Sequence, residues 1–233
     1  MNLRGTNVVI VGGSSGMGFA TAKLAKEHDA NVTIVSRSRE KLQLAAKQLG
    51  NVQTIVADIT HEPDIQALFG DMEHVDHVYV SAARPLFGKI FETELETFRS
   101  DVDQRFWGLL YVVRHVAPKI GRGSITFTTG QFGSKPAVEA VVTSAMDAAI
   151  ETLAKGLALE LAPIRVNAIA PGAIDTPFAG EEGREEAAKW EKGNLPVKRI
   201  GTAEEVAQAV LLLMTNGFIT GEVLHIDGGG RLI

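Results

Sequence analysis

Short, nearly all-apolar runs alternate along the chain with longer stretches whose apolar residues recur every three or four positions. Residues 8–11 are wholly apolar and mostly β-branched, as expected of a strand buried on both faces. Glycines follow at Gly12, Gly16 and Gly18, and a helical pattern begins with Phe19, Ala22 and Leu24 apolar and Lys23 and Lys26 polar. Further strands are predicted at 31–36, 52–57, 75–80, 124–128, 165–169 and 222–226. Helices are predicted over 39–49, capped by Ser38, and from about Glu62. Thr93 with Glu96 reads as a capping box that opens a helical region running through Trp107, Leu110 and Val113. Residues 136–162 read as one long helix dense in Ala, Thr, Ser and Gly, a wall of any site and a subunit contact. Thr202 and Glu205 form a second capping box, before a helix ending near Met214. Regular alternation predicts an α/β, doubly wound parallel sheet with right-handed crossovers and helices on both faces, as a single domain over 1–233. The charged stretch 179–194 suits a mobile lid helix, although most charges in such a run belong to a solvated face.

Composition narrows the classes. A length of 233 residues with 45% hydrophobic content supplies one sizeable α/β core. The net charge of −5 gives no reason to expect a nucleic-acid partner. With no cysteine there is no disulfide framework, no Cys-ligated zinc and no thiol nucleophile. His28, His61, His74, His77, His115 and His225 show no ligand spacing, so no metal is expected, and His74 and His77 suit solvent or packing. Neither an apolar leader nor a membrane-length apolar run is present, which predicts a cytoplasmic protein without a membrane partner.

The chemistry concentrates at the ends of the early strands. A strand turning through glycines into a helix lets the backbone approach a pyrophosphate, and the helix's free N–H groups attract it. That makes Gly12, Ser14, Ser15, Gly16, Met17 and Gly18 a dinucleotide-phosphate turn, with a plain strand–helix connection as the competing reading. About 20 residues on, where an NAD site places an acidic group on the ribose 2′-OH, stand Ser36, Arg37, Ser38 and Arg39. Guanidinium and hydroxyl groups suit a 2′-phosphate, and for Arg39 a helix-surface role is equally good. Asp58, followed by Ile59, either accepts from an adenine amino group or, with Thr60, caps the next helix. Ser81, Ala82 and Ala83 permit close approach of a ligand or serve packing.

With these landmarks in place, the chain resembles the short-chain dehydrogenase/reductase family over essentially its full length. The matching segments are VGGSSGMG at 11–18, Asp58, SAA at 81–83, RVNAIAPGAIDTP at 165–177 and ITGEVLHIDGG at 219–229. The resemblance implies a seven-stranded Rossmann sheet with a dinucleotide across the strand ends. It implies that Ala82 and Ala83 touch ribose, and that Pro171, Gly172, Ile174 and Thr176 hold the nicotinamide side. It implies a small-molecule substrate and a homodimer or homotetramer, and Ser36-Arg37 resembles the family's NADP-preferring branch.

The family's catalytic Asn, Ser, Tyr and Lys do not carry over: their places hold Arg105, Gly130, Thr143 and Asp147. Both tyrosines, Tyr79 and Tyr111, precede the fifth strand, and Arg84 replaces a usual glycine. A threonine hydroxyl is a far poorer acid than a phenol, whose pKa is about 10. Arg105, Thr143 and Asp147 remain weak catalytic candidates, and Asp147 is also a candidate cofactor contact. Three outcomes are open for Asp147: a hydrogen bond from the nicotinamide ribose, a pair with Arg105, or drift with both side chains turned to solvent. The sequence reading is an NADP(H)-dependent oxidoreductase, a slow reductase of activated carbonyls or quinones. The alternative is a catalytically silent NADPH-binding sensor or scaffold.

Overall fold

The protein is represented by a computed structural model that describes residues 2–81, 86–177 and 193–233. Its strands are β1 (Asn7–Val11), β2 (Asn31–Ser36), β3 (Gln53–Val56), β4 (His77–Val80), β5 (Ser124–Thr128), β6 (Arg165–Pro171), β7 (Ile174–Asp175), β8 (Gly201–Thr202) and β9 (Val223–Ile226). Its helices are α1 (Gly16–Glu27), α2 (Arg39–Leu49), α3 (Glu62–Gly70), α4 (Leu95–Val102), α5 (Gly108–Val116), α6 (Val141–Glu160) and α7 (Ala203–Thr215). Seven strands form one parallel sheet in the order β3-β2-β1-β4-β5-β6-β9, while β7 and β8 pair separately. The order reverses between β1 and β4, which opens a crevice at the carboxyl ends of those two strands.

Strand β1 shows how the sheet is covered on both faces. Val8 and Ile10 pack with Ala22 and Ala25 of α1, Leu42 of α2 and Val206 and Val210 of α7. Val9 and Val11 point the other way, towards Ile65 of α3, Val112 of α5 and Ile150 of α6. Alternation places successive side chains on opposite faces, and both faces are apolar because both carry helices.

Three expectations about element ends are corrected. The Thr93–Glu96 capping box does not form: α4 starts at Leu95, with Glu94 at the N-cap and no side-chain capping bond. The long helix begins at Val141, not at Pro136, and ends at Glu160. Glu139 stands in the left-handed region with φ of 64°, so the chain turns there before it can wind into α6. Asp58 and Thr60 do not cap α3, whose N-cap residue is His61. By contrast, Ser38 accepts from the Lys41 N–H, and Thr202 and Glu205 cap α7 reciprocally. The seven-stranded parallel sheet is as expected, although β3 and β4 are shorter than the apolar runs that announce them.

Candidate functional site

The glycine turn sits at the crevice where the strand order reverses. Gly12 and Gly16 hold φ of 90° and 53°, a region L side chains rarely adopt. At Gly18 a Cβ would lie 2.3 Å from the Gly12 carbonyl oxygen, so the start of α1 presses directly on the end of β1. Ser15 caps α1 in extended conformation without using its side chain, and the first turn carries no acidic residue. The positive end of α1 therefore faces the crevice unneutralised, a geometry that admits a phosphate. Thr176, just after β7, comes over this turn, 3.4 Å from where a Gly16 Cβ would be. Ser14 and Met17 complete the turn, and Ser81 at the end of β4 donates its N–H to Val11 O at 2.8 Å on the opposite side.

Arg37 extends from the end of β2 with its side chain 63% exposed, and its guanidinium stands 3.9 Å from Asp58. Asp58 is also occupied locally, since its Oδ1 accepts from the N–H and hydroxyl of Thr60 at 2.9 and 2.8 Å. Ser36 Oγ accepts from the Ser38 N–H, and Ser38 Oγ is engaged at the start of α2. Ile59 is buried against Gly108, where a Cβ would come within 2.8 Å of it. Gly172 is similarly tight, its would-be Cβ 2.9 Å from Asp227 Cα, and Pro171 and Ile174 flank it on β6 and β7. Ala82, Ala83, Arg84 and the charged stretch 179–192 lie outside the described residues.

At the carboxyl end of β5 the side chains form an ion cluster. Arg105 lies on a π-helical turn (Asp103–Trp107) inserted between α4 and α5. Its Nη2 donates to Asp147 Oδ1 of α6, and its Nη1 donates to Thr143 O at 3.5 Å. The same Nη1 stands 3.7 Å from Asp101 Oδ2. Side-chain exposures of 3% for Asp101, 3% for Arg105 and 1% for Asp147 exclude water from all three. The structure thus pairs Asp147 with Arg105, one of the three outcomes left open by the sequence, and rules out the alternative in which both side chains turn to solvent. Burial pushes the Asp147 carboxyl up from its ordinary range, against the pull of Arg105. Burial also raises Asp101, opposed by Arg105 and reinforced by the charge on Asp147.

Gly130 belongs to this arrangement. A Cβ there would lie 2.6 Å from Asp147 Oδ2, so the carboxylate occupies the space next to the glycine. Thr143 is fully buried and donates its hydroxyl to Leu86 O at 2.6 Å. Tyr79 offers no substitute acid: it is fully buried, bonded to Thr128 Oγ1 at 3.0 Å, and its pKa is pushed up to about 12 by burial. Sequence reasoning missed Asp101, although its position four residues before Arg105 on a helical pattern is the spacing of an ion pair. A small cavity of about 150 Å³ is lined by Gln131 and Phe132, which follow Gly130, and by Lys135, Leu195, Gly230 and Ile233. A larger one, about 490 Å³, lies at the amino ends of the strands near Asn7, Asn31 and His74, away from this chemistry. Among the described residues no group of three or more His, Asp or Glu could hold a metal, and no helix is long and apolar enough to cross a membrane.

Comparison with known proteins agrees with this fold. Residues 11–230 match the family model described as enoyl-(acyl carrier protein) reductase. The chain is 32% identical to the short-chain dehydrogenase/reductase ucsE of Acremonium sp, over 97% of this chain and 95% of that one. It is 32% identical to carbonyl reductase family member 4 of Xenopus tropicalis, covering 96% and 97%. Among solved structures, a small-chain dehydrogenase in complex with NADPH superposes with a TM-score of 0.86 at 33% identity, covering 98% and 100%. The reductase/Diels-Alderase MalC of Malbranchea aurantiaca superposes with a TM-score of 0.93 at 29% identity, covering 99% and 97%. These relatives are oxidoreductases of one kind, and their family uses nicotinamide cofactors. The chain belongs to the short-chain dehydrogenase/reductase family.

Proposed function

We propose that the chain is an NADP(H)-dependent oxidoreductase with a non-standard reaction centre, a slow reductase of activated carbonyls or quinones. The observation that carries the cofactor choice is Arg37, exposed at the end of β2 beside the glycine turn, where no carboxylate from that strand takes a 2′-OH. A relative bound to NADPH supports the same choice. In this reading the turn from Gly12 to Gly18 holds the pyrophosphate, Ser36, Arg37 and Ser38 meet the 2′-phosphate, and Asp58 and Ile59 border the adenine. Ser81 borders ribose, and Pro171, Gly172, Ile174 and Thr176 border the nicotinamide. The cofactor, when bound, supplies hydride. The chain's own residues align it and exclude water, which contributes more than proton transfer does.

Arg105, Gly130, Thr143 and Asp147 stand where the family's proton relay would be. With Arg105 and Asp147 closed on each other and the Thr143 hydroxyl engaged, none of the side chains at 105, 143 and 147 supplies a ready proton. Acceptors that tolerate hydride before protonation suffer least from that loss. The same closed pair favours a second reading, a cofactor-binding sensor without turnover. We also assign a homodimer or homotetramer, because Trp107, Val141 and Leu159 are 48, 60 and 84% exposed on the α5 and α6 side. Sedimentation at micromolar concentration should show an assembly, and a lone monomer would refute it.

Fluorescence titration with NADPH and NADH tests the cofactor assignment. NADPH should bind more tightly, and Arg37→Ala should remove about ten- to a hundredfold of that preference, the value of a charge-assisted hydrogen bond. Equal affinities, or an unchanged preference in the variant, would refute it.

A further inference from the structure

We infer that Asp101 is a positioning residue of the buried cluster, and that it is a neutral carboxylic acid packed beside the Arg105 guanidinium, filling the space next to the Arg105–Asp147 pair. Its bearing on chemistry rests on the reading of positions 105, 130, 143 and 147 as the reaction end; its protonation state does not. The argument starts from charge. Two carboxyl groups share one guanidinium, and all three side chains are at least nine-tenths buried. Were both carboxyls ionised, the cluster would enclose an uncompensated negative charge away from water, which is strongly unfavourable.

Geometry decides which carboxyl keeps the proton. Asp147 has the direct bond from Arg105 Nη2 and further support from the Phe132 backbone N–H. Neither oxygen of Asp101 has a hydrogen-bond partner among the described residues, and its approach to Arg105 Nη1 at 3.7 Å is too long for one. The ionised form is therefore better satisfied at Asp147 and worse at Asp101. The neighbouring charges do not reverse this. Arg105 on the π-helical turn and Asp147 on α6 face Asp101 directly. Glu151, one turn beyond Asp147, is itself raised by burial and by the charge on Asp147, with His225 of β9 and Lys155 opposing, and it does not act on Asp101 directly. Asp101 held neutral leaves a one-to-one ion pair and fills the space beside Arg105 without competing for it.

Infrared spectroscopy of the full chain at neutral pH, without cofactor, tests the protonation state. The wild type should show a protonated-carboxyl C=O band that shifts in deuterated water and disappears in Asp101→Asn. The same band should remain in Asp147→Asn. Loss of the band in Asp147→Asn alone, or no band at all, would overturn the inference. Thermal denaturation against pH gives a second readout. The folded chain retains a proton that the unfolded chain releases near the ordinary carboxyl pKa of about 3.9, so wild-type stability should fall as pH rises above that value. Asp101→Asn should lessen that fall, and an identical pH slope in both proteins would overturn the inference. If Asp101→Asn does not fold, carboxyl ¹³C shifts of the aspartate-labelled chain decide: a protonated aspartate at neutral pH that persists in Asp147→Asn supports it, and none, or one lost in Asp147→Asn, overturns it. NADPH affinity tests the functional reading separately. Asp101→Asn should match wild type while Asp101→Ala binds more weakly, and equal affinities with the infrared band intact would sink only the assignment of the reaction end.

Discussion

At the scale of single residues, Gly130 and Asp147 are one feature. The carboxylate of Asp147 fills the volume that any side chain at 130 would need, as the 2.6 Å approach shows. Gly130→Ser should therefore cost about 1–3 kcal/mol by overpacking. In an Asp147→Ala background the added side chain meets no carboxylate, so its cost should shrink by more than about 0.5 kcal/mol. Urea denaturation of the two single variants and the double variant reads this coupling, and strict additivity would contradict it. The pairing of Arg105 with Asp147 was legible in sequence only as one of three outcomes, suggested by a cation and an anion at places that the family resemblance puts around one pocket. Asp101 was not legible as a member. It lies on a helix rich in charge, and only the fold reveals that its side chain faces Arg105 rather than water. Gly130 could be read as a missing hydroxyl, but its steric complementarity to Asp147 needed coordinates.

At the scale of elements, two capping boxes of the same pattern had opposite fates. Thr202 and Glu205 satisfy each other's backbone groups, and Arg199 closes on Glu205 with bonds of 2.9 and 2.6 Å. Thr202→Ala should cost about 1 kcal/mol in thermal or chemical denaturation. Glu205 has its pKa lowered to about 2, first by the Arg199 hydrogen bonds and then by the Thr202 N–H. Its folded pKa is below its unfolded one, so its contribution is present above the ordinary glutamate range and is lost as pH falls towards 2. Glu205→Gln should lessen the acid loss of stability between those limits, and an unaltered acid limb would contradict that assignment. The box at Thr93 fails because its backbone N–H is already donated to Lys89 O at 3.0 Å, in a turn that carries the chain past it. A local pattern is satisfied only when the surrounding chain leaves its backbone groups free, and that condition is tertiary.

At the scale of the whole molecule, the alternation of apolar runs and helical stretches was enough to read the parallel sheet. A strand buried on both faces has few alternatives to a doubly wound fold. The crevice at the β1–β4 reversal follows from topology, and the glycines at 12, 16 and 18 mark it in sequence. The larger cavity at the amino ends of the strands left no such mark, since Asn7, Asn31 and Gln53 read as ordinary strand starts. The proposed function is divided in the same way: in that reading the dinucleotide end keeps the family's residues, and the reaction end does not. Steady-state oxidation of NADPH, measured against a quinone and against a simple ketone, tests that division most directly. We predict measurable turnover of the quinone and ketone reduction slower by about a hundredfold or more, the usual contribution of a general acid. Ketone turnover as fast as quinone turnover would contradict the missing relay, and oxidation of NADPH by neither acceptor would contradict the oxidoreductase itself.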